Sequence, residues 1–147
     1  MIRIATMDDV ETIVLYNSLL AKETENIDLN LDTLRKGVLS VIKDNTKGTY
    51  YVYEKEKKII GQILITYEWS DWRNKNFWWI QSVYVDKEHR NNKVFSKIYE
   101  YILSLAKDTD VAGVKLYVDQ NNENAQEVYS TLGLKKSNYH LFDKYLY

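Results

Sequence analysis

The sequence predicts a mixed α/β (α+β) fold: a mostly antiparallel central sheet flanked by helices on both faces, in the order β-α-α-β-β-β-α-β-α-β. Three observations predict it. Apolar residues between Val10 and Ile42 recur at helical spacing. From Gly48 to Val85 the period changes to two, with turn signals between the runs. Beyond Arg90 a long amphipathic helix, a short apolar strand, a second helix and a final alternating run follow one another. No repeat, linker or low-complexity block divides the 147 residues, so one domain spanning 1–147 is expected.

The elements follow in order. Ile2-Arg3-Ile4 alternates as a short strand, and Thr6 with Asp9 has the form of a helix cap. Val10, Ile13, Val14 and Leu20 fit one face of the helix behind it. Asn30 caps a second helix that turns Leu31, Leu34, Val38, Val41 and Ile42 inward, with Gly37 as a weak point. Thr49–Glu54 and Ile59–Glu68 read as a hairpin joined at Lys55-Glu56-Lys57-Lys58. After the polar and aromatic loop of Trp69–Asn76, Phe77–Val85 is the next strand. Val94, Ile98, Tyr101, Ile102 and Leu105 step as i, i+4, i+7, i+8 and i+11, a helix. Val114–Val118 is a buried strand, Glu123–Thr131 a short helix closed by Gly133, and Tyr139–Tyr147 a last strand.

Composition removes several classes of function. A net charge of −1 argues against a nucleic-acid surface, whose footprint is a basic excess. Absence of cysteine excludes disulfides, thiolate metal sites and a cysteine nucleophile. Two histidines far apart, His89 and His140, do not make a catalytic zinc site, and no metal is expected. MIRIATMDDVE lacks an apolar signal region and no run reaches the length of a membrane span, so a cytoplasmic location is expected. Proline is absent, so every peptide bond is expected to be trans.

The chemistry-bearing stretch lies between Phe77 and Leu134. An apolar strand FWWIQSVYVD is followed by a basic turn and helix, KEHRNNKVFSKIYEYI. Later comes Asn122-x-x-Ala125-x-x-x-Tyr129-x-x-x-Gly133-Leu134. A diphosphate needs converging backbone N–H groups, and a helix N-terminus supplies them with the positive end of its dipole. Arg90, Asn91 and Asn92 suit a turn, Arg90 and Lys93 add charge, and Ser96 offers a hydroxyl. The plainer reading of these residues is a solvated basic turn that caps a helix.

This order resembles the acetyl-coenzyme A half of the GNAT superfamily of N-acetyltransferases, whose strand ends in Val-x-Val and whose turn carries Arg-x-x-Gly-x-Gly/Ala. The resemblance covers essentially the whole chain, with specific motifs only in the second half. It implies acetyl-CoA as co-substrate and backbone pairing of Val83 and Val85, around Tyr84, with the pantetheine arm. It also implies that the amides of Asn91, Asn92, Lys93, Val94, Phe95 and Ser96 wrap the pyrophosphate. Lys93 stands where the family has its first glycine, and Phe95 replaces the second small residue. If the turn needs a left-handed residue at Lys93, the side chain costs roughly 1–2 kcal/mol there.

Acyl transfer from a thioester to an amine benefits from N–H donors at the oxyanion and an acid near the leaving sulfur. Asn122, Ala125 and Tyr129 step at i, i+3 and i+7 along one face. The resemblance implies that Tyr129 is the general acid; the alternative is a core tyrosine. Glu68 is a candidate general base, whose pKa would rise if it were buried among Tyr67, Trp69 and Trp79, with Gln81 holding a water. The alternative is a strand-end glutamate in solvent. GNAT sequences with a very similar EWSDWRN run exist. Trp69, Trp72, Trp78 and Trp79 with Asp71 and Arg73 could wall an acceptor pocket, or simply pin a hairpin loop. Glu23, Glu25 and Asp28 border the region where the family places its acceptor.

The expected activity is acetyl-CoA-dependent N-acetylation of a primary amine on a small molecule or peptide. No nucleic-acid or membrane partner is expected, and a homodimer through Tyr139–Tyr147 is compatible with the sequence. The rival is an acyl-CoA-binding sensor or partner-binding module without turnover.

Overall fold

In the computed structural model, which describes all of residues 1–147, the chain forms two compact units, Met1–Tyr117 and Val118–Tyr147. The first is built on a five-stranded sheet in the order β1-β2-β3-β4-β5. Its strands are β1 (Ile2–Ile4), β2 (Thr49–Lys55), β3 (Lys58–Ser70), β4 (Lys75–Val85) and β5 (Gly113–Leu116). Every neighbouring pair is antiparallel except β4 with β5. Helices α1 (Val10–Glu25) and α2 (Leu31–Lys43) lie between β1 and β2 in sequence, and α3 (Val94–Asp108) lies between β4 and β5.

Sequence explains where each element starts. Asp9 Oδ2 accepts from the Thr6 amide at 2.7 Å and holds the entry to α1. Asn30 Oδ1 accepts from the Thr33 amide at 3.0 Å and caps α2. The hairpin between β2 and β3 turns on Glu56 and Lys57, whose φ values of 51° and 62° are left-handed in succession. Two successive left-handed residues match the right-handed twist of hairpin strands. Helix α1 ends at Asn26, left-handed with φ 53°.

The strand pleat sorts residues between two faces. Tyr50, Val52, Leu64 and Tyr84 pack with Val10, Ile13, Val14, Tyr16 and Val38 in a core under α1 and α2. Leu31, expected inward, is 49% exposed at the first position of α2. On the opposite face, Ile98 and Ile102 of α3 are fully buried. A Cβ on Gly61 would come within 3.0 Å of the side chains of both Val94 and Ile98. Glycine at that point therefore lets the first turn of α3 settle onto β3.

The second unit contains α4 (Glu123–Thr131). Asn122 Oδ1 accepts from the Ala125 amide at 3.1 Å and caps it. Gly133 has φ 91°; its N–H reaches Ser130 O and the Leu134 N–H reaches Tyr129 O, both at 3.0 Å. That pair of bonds is the Schellman closure that a glycine past the helix end permits.

The final strand expected over Tyr139–Tyr147 is not formed. Those residues make no ladder, and Tyr139, Phe142, Leu146 and Tyr147 are each close to nine-tenths exposed or more. Alternation is broken where Leu141 and Phe142 stand adjacent, and a strand without a partner satisfies none of its backbone groups. No helix is long and apolar enough to cross a membrane.

Two tests follow from this architecture. Asp9 is 6% exposed; burial alone would raise its pKa, but bonds from Arg3 (2.8 Å) and the Thr6 amide together hold it below the usual carboxylate range. Its stabilisation is full above its unfolded pKa of about 3.9 and is lost as pH falls through the lowered native value. Asp9→Asn should reduce stability by about 1–3 kcal/mol near neutrality. In urea unfolding, the gap between the two proteins should narrow near pH 3. Lys93, at the N-cap of α3, has φ 58°. Lys93→Gly should raise the urea midpoint by an amount worth about 1 kcal/mol, with an unchanged slope.

Candidate functional site: the open end of β4 and the turn behind it

Strand β4 is paired on both edges only along its first half. Against β5 the pairing runs from Phe77↔Gly113 to Ile80↔Leu116 and stops. Against β3 it continues to Gly61↔Val85, but with a bulge: Gln62 faces Tyr84 while Leu64 faces Gln81, so Ile63 opposes both Ser82 and Val83. Ser82 takes φ 49° there, the left-handed conformation that such bulges ordinarily give to glycine. The Asp86 amide donates to Ile60 O at 2.9 Å, so Asp86 and Tyr84 face β3. By alternation Val83 and Val85 direct their N–H and C=O groups to the opposite edge, where β5 has ended.

A ring of buried polar side chains surrounds the bulge, joined by three hydrogen bonds. Gln62, fully buried in β3, donates from Nε2 to Asn17 Oδ1 of α1 at 2.8 Å and to the Ser82 carbonyl at 3.0 Å. Asn17 Nδ2 donates to the Tyr50 hydroxyl at 3.1 Å. Gln62 Oε1 is left in the interior with no partner. None of Asn17, Tyr50, Gln62 and Ser82 stood out from sequence. The available signal was a glutamine inside the apolar run IIGQILI.

The turn after β4 begins with a short 3-10 segment, Lys87–His89. Burial would raise the Asp86 pKa, but Lys58 at 3.1 Å and His89 at 3.0 Å hold it below its ordinary value. Arg90 is tied at three points. Its Nε donates to Val85 O at 3.0 Å, its Nη1 meets Glu23 at 2.9 Å, and its guanidinium lies 5.2 Å from the Tyr84 ring centre. Glu23, near the end of α1, also accepts from the Tyr84 hydroxyl at 2.8 Å. Arg90 keeps Glu23 low, while burial and then Glu23 push Tyr84 up to about 12.

Asn91 (φ 65°) and Lys93 (φ 58°) are both left-handed, so the turn needs at Lys93 the conformation that glycine adopts freely. The first bond within α3 is Lys97 N–H to Lys93 O at 3.0 Å. The amides of Val94, Phe95 and Ser96 precede it, at the positive end of a helix with no acidic residue in its first turn. Val94 is buried against Gly61, and the Phe95 ring lies 6.1 Å from that of Tyr99.

On the α1/α2 face of the β3–β4 hairpin, Glu68 receives Trp79 Nε1 at 3.2 Å and Lys115 Nζ at 2.9 Å. Lys115 lies 3.9 Å from the Phe77 ring centre, and Trp79 packs at 4.4 Å on Tyr117. Gln81 Nε2 donates to Thr66 Oγ1. The Glu68 side chain is 44% exposed, and Lys115 holds its pKa below the ordinary value. The desolvation expected to raise it is not met.

The tryptophans do not form one wall. Glu68 and Trp69 are successive strand residues and point to opposite faces. Trp69 pairs with Asn76 on the α3 side, and Trp72 at the hairpin tip is 88% exposed. Asp71 accepts from the Trp72 amide, while Arg73 meets Ser70 Oγ and the Phe77 ring instead of Asp71. In the second unit, Tyr129 is half-buried on α4, and burial pushes its phenol up. Asn122 spends its side-chain oxygen on the cap of Ala125.

Comparison with known proteins agrees with this arrangement. The family described as "Acetyltransferase (GNAT) family" matches residues 16–134. A possible acetyltransferase from Clostridium difficile 630 is 45% identical over 100% of this chain and 97% of its own, with a TM-score of 0.95. A predicted acetyltransferase from Clostridium acetobutylicum, solved with acetyl-CoA, shares the fold at 18% identity, 98% and 95% coverage and a TM-score of 0.80. Thialysine N-ε-acetyltransferase of Bos taurus is 28% identical over 75 residues, which are 51% of this chain and 44% of that protein. The match thus spans less than half the length of that relative. The chain belongs to the GNAT acetyltransferase family.

Proposed function

We propose that residues 1–147 act as one acyl-transfer domain that moves the acetyl group of acetyl-CoA to a primary amine of a small molecule or peptide. The observation that carries this reading is the free edge of β4 at Val83 and Val85, running into a turn with two left-handed residues at the start of α3. Acetyl-CoA supplies an activated acetyl thioester. Val83 and Val85 present backbone groups for its pantetheine amides, and the amides from Asn91 to Ser96, with Lys93, receive its diphosphate. Arg90, already held by Glu23 and Val85 O, pins the turn in shape.

In the transfer, the amine nitrogen bonds to the acetyl carbon and the carbon–sulfur bond breaks. The amine loses a proton and the departing thiolate takes one. The Val83 N–H is the donor for the acetyl oxygen, and Tyr129, protonated at neutral pH, is the proton source for sulfur. Glu68 is ionised and paired with Lys115. With Trp79 and Gln81 on its own face of the sheet, it serves the acceptor as a cation-holding edge, and Trp69, on the other face, stays outside that edge. The acceptor amine then titrates on its own. A cytoplasmic setting and a homodimer are compatible with this activity.

A second reading, an acyl-CoA-binding module without turnover, is favoured by the same Glu68 pairing, because an ionised, ion-paired carboxylate is a weak base. Calorimetry with acetyl-CoA, followed by thiol release across a panel of primary amines, separates the two. Micromolar binding with turnover supports the enzyme, binding without turnover supports the module, and no binding at millimolar concentration overturns both.

Two mutants refine the roles. Tyr129→Phe should lower kcat about 10²–10⁴-fold and leave acetyl-CoA affinity within about twofold. In Glu68→Gln, the rising limb of kcat/KM against pH should stay where the amine's own pKa, about 10 for an alkylamine, places it. Movement of that limb would assign the base to Glu68.

A further inference from the structure

We infer that Asn17, Tyr50 and Gln62 are positioning residues that hold the Ser82 bulge of β4, and through it aim the Val83 amide at the acetyl carbonyl. The inference rests on the acyl-transfer reading above, and goes beyond it by assigning three interior residues that never meet substrate.

The geometry is specific. Ser82 is the only residue within β4 with positive φ, and its carbonyl is gripped by a buried side chain. Its carbonyl accepts from Gln62 Nε2 at 3.0 Å. Asn17 holds Gln62 in place by accepting from it at 2.8 Å and is itself anchored by donating to Tyr50 at 3.1 Å. The four residues come from α1, β2, β3 and β4, so the ring ties the bulge to three other elements. Asn17, Tyr50 and Gln62 are all buried, at 7%, 4% and 0% exposure, among apolar neighbours.

Such polar groups are poor core material, since aliphatic side chains would fill the same space without needing partners. Gln62 even leaves Oε1 unbonded. What the ring does accomplish is local. The residue after Ser82 is the first on the open edge of β4, and its N–H direction is set by the Ser82 backbone torsions. An extended Ser82 would remove the bulge and shift the β4 register by one residue, which exchanges the edges that Val83 and Tyr84 face.

The test uses acetyl-CoA and free CoA as paired probes by calorimetry, because the difference between them isolates the acetyl carbonyl. Wild-type protein should prefer acetyl-CoA. Gln62→Met and Tyr50→Phe should each reduce that preference by about fivefold, the worth of one hydrogen bond, while CoA affinity stays constant. Adding Ser82→Gly to Gln62→Met should restore the preference, because glycine adopts the left-handed bulge unaided. Thermal unfolding checks that each variant is folded. An unchanged preference in both single variants, or a loss that Ser82→Gly fails to restore, overturns the positioning role. Parallel loss of CoA affinity would assign the ring to general packing instead. Wild-type protein that binds both probes equally overturns this inference alone, whereas binding of neither removes the acyl-transfer reading with it.

Discussion

Strand β4 has to satisfy two incompatible demands along one length. Up to Ile80 it is an interior strand with ladders on both sides, and beyond it only the ladder to β3 continues. Backbone groups in a protein interior are almost always paired, so an open interior edge exists only where something enforces it. Here two devices act together: β5 pairs with β4 through only four residues, and the bulge at Ser82 changes the register on the other side. The start of α3, the turn before it and the seat of Gly61 all follow from where β4 ends.

Magnitudes show that the ring around Ser82 is not there for stability. A left-handed serine costs roughly 1–2 kcal/mol. The three hydrogen bonds among Asn17, Tyr50, Gln62 and Ser82 return about 0.5–1.5 kcal/mol each, and the orphaned oxygen of Gln62 takes back about 1–3 kcal/mol. The sum is near zero. A balance that gains so little in free energy is what the positioning role inferred above requires. The same reasoning separates Arg90 from a loose phosphate ligand: with Glu23, Val85 O and the Tyr84 ring around it, its freedom is already gone.

Much of this was legible in the sequence, and the parts that were not share a cause. Helix α3 declared itself through five apolar positions at helical spacing, and the β2–β3 hairpin through period two on either side of Lys55–Lys58. The turn at Lys93 is legible only through the order of the elements around it, since the glycine is missing. The opposite facing of Trp69 and Trp79 was readable in principle, since Glu68 and Trp69 are adjacent in a strand and parity decides the face. The bulge was not readable: IQSVYV alternates well enough to pass as a regular strand, and only the partner's register reveals the extra residue. Tyr139–Tyr147 failed for the converse reason. Aromatic and aliphatic residues promise a strand, but a ladder also needs a partner edge, which a local pattern does not encode.

The turns carry a further consequence. Eight non-glycine residues have positive φ, and only four of them, Asn26, Asn74, Asn91 and Asp110, are types that tolerate it well. Glu56, Lys57 and Lys93 hold the same conformation with long side chains and no comparable local support. The chain's reserve against heat therefore lies in its connections more than in its core, whose largest side chains are already fully buried. Selection for hardier variants would enrich glycine and asparagine at those three positions before it changed any packed residue. It would leave Ser82 alone, because relaxing that torsion gains little once three residues are committed to holding it.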